Sequence, residues 1–219
     1  MKLAVIIVAA GTSQRMGFDK LLANLGGKPV LQRSIEAFLS CPEVTNIIVV
    51  CPEDRYQALG LNPSENLIQR VDGGNDRHDS VTAGLAALPK NTDFIAVHDG
   101  ARPIISREQI KSVLDAAIIH GAATSARPVT ETVKRSNSDG MVNEAVSRDD
   151  LWLMETPQIF LSNLLNQAYT KITDSGISVT DEVSAMELIN QPVRLVANLS
   201  ANPKITYPTD IQQTEKLLN

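Results

Sequence analysis

Short apolar runs alternate with amphipathic stretches along this chain. Lys2–Val8 is almost wholly apolar and stops at a Gly-containing loop, which reads as a buried first strand. Leu31, Ile35, Phe38 and Leu39 then fall on one helical face. Asn46–Cys51 is a β-branched run closed by Pro52, and Leu67–Val71 is a shorter one ending at Asp72-Gly73-Gly74. Val81, Leu85 and Leu88 recur at helical spacing, Phe94–Val97 gives a fourth strand, and Ile110, Val113, Leu114, Ala117 and Ile118 mark an amphipathic helix. This alternation predicts an α/β fold: a Rossmann-like, mostly parallel sheet with helices on both faces.

The pattern then changes. Thr130–Arg135 and Val142–Val146 are β-like and flank the turn-rich Ser136-Asn137-Ser138-Asp139-Gly140, so the pair reads as a hairpin. It holds few large apolar residues, as an arm projecting from the main body would. A helix near Leu161–Lys171, another near Asp181–Asn190, a strand at Val193–Asn198 and a last helix from Pro208 complete the pattern. With no repeat and no low-complexity linker, the expectation is one domain over residues 1–219 with an arm at about 130–148.

Composition narrows the class. The length of 219 residues can bury a real core, and with aromatics at 4% Ala, Val, Ile and Leu must fill it. The net charge of −5 argues against a nucleic-acid partner, yet a few local cations can still hold a phosphorylated small molecule. No stretch approaches the ~20 apolar residues of a membrane span, so no membrane partner is expected. Cys41 and Cys51 have neither a disulfide framework nor zinc spacing and are expected as free thiols in a reducing cytoplasm.

Five segments could carry chemistry. Ala9-Ala10-Gly11-Thr12-Ser13-Gln14-Arg15-Met16-Gly17-Phe18-Asp19-Lys20 follows the first strand, where open α/β sheets bind ligands. Its small residues would let backbone amides approach phosphate oxygens, with Arg15 and Lys20 as cations. It is neither the dinucleotide-binding Gly motif nor a P-loop, and loop composition alone fits a plain strand–helix connection equally well. Asp72-Gly73-Gly74-Asn75-Asp76-Arg77-His78-Asp79-Ser80 offers a tight turn, with Ser80 expected to cap the next helix, or a base-recognition loop. In Val97-His98-Asp99-Gly100-Ala101-Arg102-Pro103, Asp99 at a strand end suits Mg²⁺, which takes one or two carboxylates plus substrate phosphates. Arg102 suits a phosphate, and His98 points away as a structural residue. Ser147–Gln158 holds Arg148, Thr156 and the only Trp, Trp152, read as a packing residue that anchors the hairpin. Lys204, in Ala201-Asn202-Pro203-Lys204-Ile205-Thr206, means little alone.

Together and in this order, these segments resemble the 2-C-methyl-D-erythritol 4-phosphate cytidylyltransferase family of the non-mevalonate isoprenoid pathway. The Ala-Ala-Gly…Arg-Met-Gly…Lys start is shared by many nucleotidyltransferases. Asp-Gly-Gly-x-x-Arg-x-x-Ser-Val, Val-His-Asp-x-Ala-Arg-Pro, Arg-x-x-Leu-Trp-x-x-x-Thr-Pro-Gln and Thr180-Asp181-Glu182-x-Ser184 are specific. The resemblance covers nearly the whole chain. It implies the nucleotide-diphospho-sugar transferase type of fold and the transfer of CMP from CTP to methylerythritol phosphate. It further implies nucleotide contacts from Ala9, Ala10, Gly11, Gly74, Ser80 and Gly100. Arg15 and Lys20 would hold the triphosphate and, with Lys204, act as catalytic cations; Asp99 would hold Mg²⁺. Arg102, Thr132, Arg148, Thr156 and Lys204 would bind methylerythritol phosphate. In this family the arm reaches into a second subunit, so a homodimer is implied, with Thr132 and Arg148 serving the partner's site. The chain departs from the family pattern at Gly100, where Ala is common, at Asn75, where an acid is frequent, and at Pro203, where Ile usually precedes the Lys.

The chemistry matches this inventory. A phosphate monoester is already an anionic nucleophile, so positioning and charge stabilisation suffice and no Ser-His pair is required. The rivals are a cytidylyltransferase for another alditol phosphate such as ribitol phosphate, a molybdenum-cofactor nucleotidyltransferase, and a silent nucleotide-binding module. The Arg-x-x-Leu-Trp and Thr-Asp-Glu-x-Ser segments weigh against the first. The second shares the Arg-Met-Gly-x-Asp-Lys start, but its other motifs are not expected here. The intact Arg15, Lys20, Asp99 and Lys204 weigh against the third.

Overall fold

β1 (Leu3–Val8) is buried on both sides and lies inside the main sheet. It pairs in parallel with β4 (Val44–Val50) on one edge and with β6 (Phe94–Asp99) on the other. The computed structural model that gives this arrangement describes residues 1–13, 16–61 and 67–218. A short β2–β3 hairpin (Asn24–Leu25, Lys28–Pro29) leads into α1 (Val30–Leu39), and α2 (Glu53–Ala58) follows β4. Next come β5 (Ile68–Val71), α3 (Arg77–Ala87), β6, α4 (Arg107–His120) and β7 (Ala122–Pro128). The arm is β8 (Val133–Ser136) and β9 (Val142–Val146); β10 (Trp152–Leu161), α5 (Ser162–Ser175), α6 (Glu182–Leu188), β11 (Arg194–Ala197) and α7 (Pro208–Glu215) close the chain.

The seven-stranded order is β11-β7-β10-β6-β1-β4-β5. Only β10 runs antiparallel to its neighbours, so the mostly parallel sheet stands. The pleat divides the core. Leu3, Val5 and Ile7 face α1 and α4 through Leu31, Ile35, Phe38, Ile110 and Val113. Ile6, Ile48, Ile95 and Val97 face α3, α5 and α6 through Val81, Leu165, Tyr169 and Met186. Alternate residues of one strand therefore bury into opposite layers, which explains why β1 reads as an unbroken apolar run.

Helix ends follow local chemistry. Ser106 caps α4 by accepting from the Gln109 amide at 3.1 Å, and Gly121 ends it in the left-handed region at φ 81°. Two strands differ from expectation. β7 is Ala-Ala-Thr-Ser-Ala-Arg-Pro, too poor in large β-branched residues to read as a strand. The Ser147–Gln158 segment reads from its sequence as a packing stretch with Arg148 and Thr156 as polar exceptions and no strand assigned, whereas Trp152–Leu161 forms the long β10 between β6 and β7. The arm is separate from the main sheet, with Val133 opposite Val146 and Arg135 opposite Glu144. The Val129 amide donates to the Leu151 carbonyl at 2.9 Å, fixing the foot of the arm beside Trp152. Cys41 and Cys51 are free and buried; burial pushes the Cys51 thiol up to about 11. Among the described residues no helix is long and apolar enough to cross a membrane.

Candidate active site

The carboxyl ends of β1, β5 and β6 converge on a cavity of about 800 Å³. The strand order reverses direction at β1, and such a switch point opens a crevice at the strand ends. Ala9, Ala10, Gly11 and Lys20 line the cavity from the first loop, and Gly74, Asp76, Arg77 and Ser80 from the second. Asp99 and Lys204 line it on the remaining side.

The two loops touch. A Cβ on Gly73 would lie 2.4 Å from the Ala10 Cβ and 2.8 Å from Ser80 Oγ, so only glycine permits this approach. Ser80 does not cap α3 as expected. The helix already begins at Arg77, with Asp76 at the cap position and the Asp79 carboxylate accepting from the Asp76 amide at 3.0 Å. Ser80 sits in the first turn instead. Its hydroxyl accepts from the Gly74 amide at 3.3 Å and donates to the Asp76 carbonyl at 3.2 Å, bracing the loop. Lys20 Nζ donates to the Ile205 carbonyl at 2.7 Å, tying the first loop to the Lys204 segment. Arg15 lies outside the described residues.

Asp99 is the electrostatic centre. Lys204 Nζ lies 2.9 Å from its Oδ2, Arg102 Nε 3.6 Å from the same oxygen, and Arg77 Nε 3.7 Å from Oδ1. Burial pushes its carboxyl up, but Lys204, then Arg77 and Arg102, outweigh that and hold it well below the usual range. The residue after Lys204 is anchored by the Ile205 amide, which donates to the Ala101 carbonyl at 2.9 Å.

Behind this wall Thr156, His98 and Gly100 pair with one another and with the backbone. Thr156 Oγ1 accepts from the Asp99 amide at 3.1 Å and lies 3.0 Å from His98 Nδ1. His98 also meets the Arg102 carbonyl at 3.1 Å and is fully buried. Burial pulls its imidazole down to about 4, so it is neutral near pH 7, as expected of a structural residue. The Gly100 amide donates to the Val8 carbonyl at 3.0 Å, and its carbonyl accepts from Ser34 Oγ at 2.9 Å. Gly100 is therefore committed to the framework and is absent from the cavity lining. Arg102 donates to the carbonyls of Asn202 at 2.8 Å and Met154 at 3.4 Å, leaving its buried Nε without a hydrogen-bond partner among the described residues.

Thr132 and Arg148 are not brought to this cavity. Thr132 is exposed at the base of the arm, and Arg148 donates to the Thr130 carbonyl.

Two residues to which the sequence assigns no role stand out. Arg77 forms a double hydrogen bond with Glu182, at 2.6 and 2.9 Å, and Glu182 is fully buried. Tyr169 donates to the same carboxylate at 2.9 Å. Burial works against the Arg77 charge, but Glu182, with Asp99 behind it, raises its pKa beyond the ordinary value. Both residues belong to quoted motifs, which was the only signal available.

The family model described as 2-C-methyl-D-erythritol 4-phosphate cytidylyltransferase matches residues 3–219. The protein of that name from Endomicrobium trichonymphae is 39% identical, covering 100% of this chain and 99% of the relative. The one from Pelotomaculum thermopropionicum is 37% identical over 99% of this chain and 94% of the relative. Among solved structures, the Francisella tularensis 2-C-methyl-D-erythritol 4-phosphate cytidylyltransferase superposes with a TM-score of 0.87 at 27% identity, covering 99% of this chain and 100% of that one. The protein of the same name from Thermus thermophilus gives 0.83 at 30% identity, covering 99% and 98%.

Proposed function

The chain belongs to the 2-C-methyl-D-erythritol 4-phosphate cytidylyltransferase family, and on that premise we propose how its residues divide the work of a CTP-dependent cytidylyl transfer. The enzyme transfers CMP from CTP to 2-C-methyl-D-erythritol 4-phosphate and releases pyrophosphate, a step of isoprenoid biosynthesis. The convergence of Lys20, Asp99 and Lys204 on one cavity, opposite the Gly-Gly loop, carries the reading.

Cytosine and ribose lie between the Ala9-Ala10-Gly11 loop and the Gly74–Ser80 loop, with Gly100 forming the floor beneath Ala9. The triphosphate runs along the first loop towards Lys20, joined by Arg15. Asp99 fits a divalent cation: it lines the cavity, and its Oδ1 is 3.7 Å from Arg77, beyond hydrogen-bond range. One carboxylate plus substrate phosphates is a usual Mg²⁺ set; bound there, Mg²⁺ would neutralise phosphate charge. Methylerythritol phosphate is held by Lys204, which lines the cavity, and by Arg102, which stands beside Asp99 with its Nε 3.6 Å from Oδ2. Thr156 positions the Asp99 backbone and His98 beside it.

A phosphate oxygen of methylerythritol phosphate attacks the α-phosphorus of CTP. One P–O bond forms, the bond between the α-phosphorus and the bridging oxygen breaks, and the electron pair leaves with pyrophosphate. No side chain need take a proton. Lys20, Arg15 and Lys204 hold the reacting groups in line and stabilise the charge that builds up.

A two-fold homodimer, with Thr132 and Arg148 of each arm serving the other site, completes the reading. A cytoplasmic setting suits the free, buried Cys41 and Cys51. The test is pyrophosphate release by the purified protein. It should require CTP, Mg²⁺ and methylerythritol phosphate together. Faster turnover with ribitol phosphate would overturn the substrate, equal turnover with ATP the base, and full turnover in chelator the metal.

A further inference from the structure

Arg55 sits on α2, outside the segments that line the cavity. It is nevertheless only 7% exposed. Its guanidinium is spent on one loop. Nε donates to Asp19 Oδ2 at 2.7 Å and Nη2 to the Gly11 carbonyl at 3.2 Å, while Nη1 donates to the Ala9 carbonyl. All three acceptors belong to residues 9–19, the segment that borders the nucleotide cavity.

A trans peptide unit is planar, and its C=O and N–H point in opposite directions. The Ala9 carbonyl shares its peptide with the Ala10 amide, and the Gly11 carbonyl with the Thr12 amide. Turning both carbonyls towards Arg55 therefore turns the Ala10 and Thr12 N–H groups away from it. Ala10 and Thr12 both line the cavity. The same contacts withdraw two carbonyl oxygens, whose partial negative charge would repel a triphosphate.

We propose that Arg55 is the positioning residue of the nucleotide loop, holding it with amides outward and carbonyls back so that it accepts the triphosphate of CTP. Lysine is a poor substitute, because one ammonium cannot meet three acceptors with the fixed geometry of a planar fork.

This rests on the assignment of the first loop to the nucleotide, so the test separates the two claims. Initial rates are measured with each substrate varied in turn, for wild type, Arg55→Met, Arg55→Lys and Lys20→Ala, with circular dichroism and melting curves to establish folding. Arg55→Met should raise KM for CTP by about 10-fold or more, the scale of one lost charge-assisted hydrogen bond, while KM for methylerythritol phosphate stays at the wild-type value. Arg55→Lys should recover part of the loss. Should Arg55→Met fail to fold, Arg55→Lys alone carries the test. A wild-type KM for CTP in Arg55→Lys, or an equal rise in both KM values, overturns the role of Arg55. An unimpaired Lys20→Ala overturns instead the loop assignment beneath it.

Discussion

Gly73 has no room for a side chain. The 2.4 Å approach of an added Cβ to the Ala10 Cβ cannot be relieved by a rotamer, because both atoms are fixed to backbone. Gly73→Ala should therefore push the two nucleotide loops apart. Overpacking of this kind typically costs ~1–3 kcal/mol, so a lower melting temperature with a raised KM for CTP is expected. A variant with wild-type values in both would show that the loops are not packed this way. The sequence shows Asp72-Gly73-Gly74 as a tight turn or a base-recognition loop but not its contact with the first loop, because contact between loops far apart in the chain leaves no local mark. Asp99, Lys20 and Lys204 were legible for a different reason: each stands in a motif whose order along the chain is itself informative. Arg55 was not, since a lone Arg in the charged run Glu53-Asp54-Arg55 looks like an ordinary solvated residue.

At the scale of elements, strands with strong apolar runs were legible, and those stabilised by their neighbours were not. β7 is composed mainly of Ala, Thr and Ser, and is a strand because β10 and β11 pair with both its edges. The helices α3 and α6 are joined by the Arg77–Glu182 pair, with Tyr169 of α5 on the same carboxylate. Removing one partner of a buried ion pair strands the other charge and costs ~3–5 kcal/mol. Glu182→Ala should lower the urea midpoint accordingly with an unchanged m-value, and Tyr169→Phe should cost only about 1 kcal/mol. The double variant Arg77→Met, Glu182→Met separates structure from function. Apolar replacement of both charges should restore much of the stability. It should not restore activity, because Asp99 loses the cation beside Oδ1. Restored activity would confine Arg77 to a role in packing.

At the scale of the whole molecule, the arm decides whether one chain makes one working site. A two-stranded hairpin alone is marginal in water, and β8 and β9 lie apart from the main sheet. Met141 and Val142 on the arm are each 66% exposed, and Leu153 of β10 is 43% exposed. Pairing with the same arm of a second chain would cover such residues under two-fold symmetry. Thr132 and Arg148 sit at the base of the arm and do not line their own chain's cavity, as expected if they serve a neighbour. Arg suits that task because its planar fork matches a phosphate. The alternative is an arm that acts only within its own subunit. Complementation separates the two. Arg148→Ala and Lys20→Ala homodimers should each be nearly inactive. After subunit exchange, a mixed dimer carries one site with both lesions and one with neither. Random exchange makes about half of all dimers mixed, each with one intact site, so activity should recover to about a quarter of wild type. Sedimentation should give a dimer throughout. A monomer, or proven exchange without recovery, would leave each chain to complete its own site.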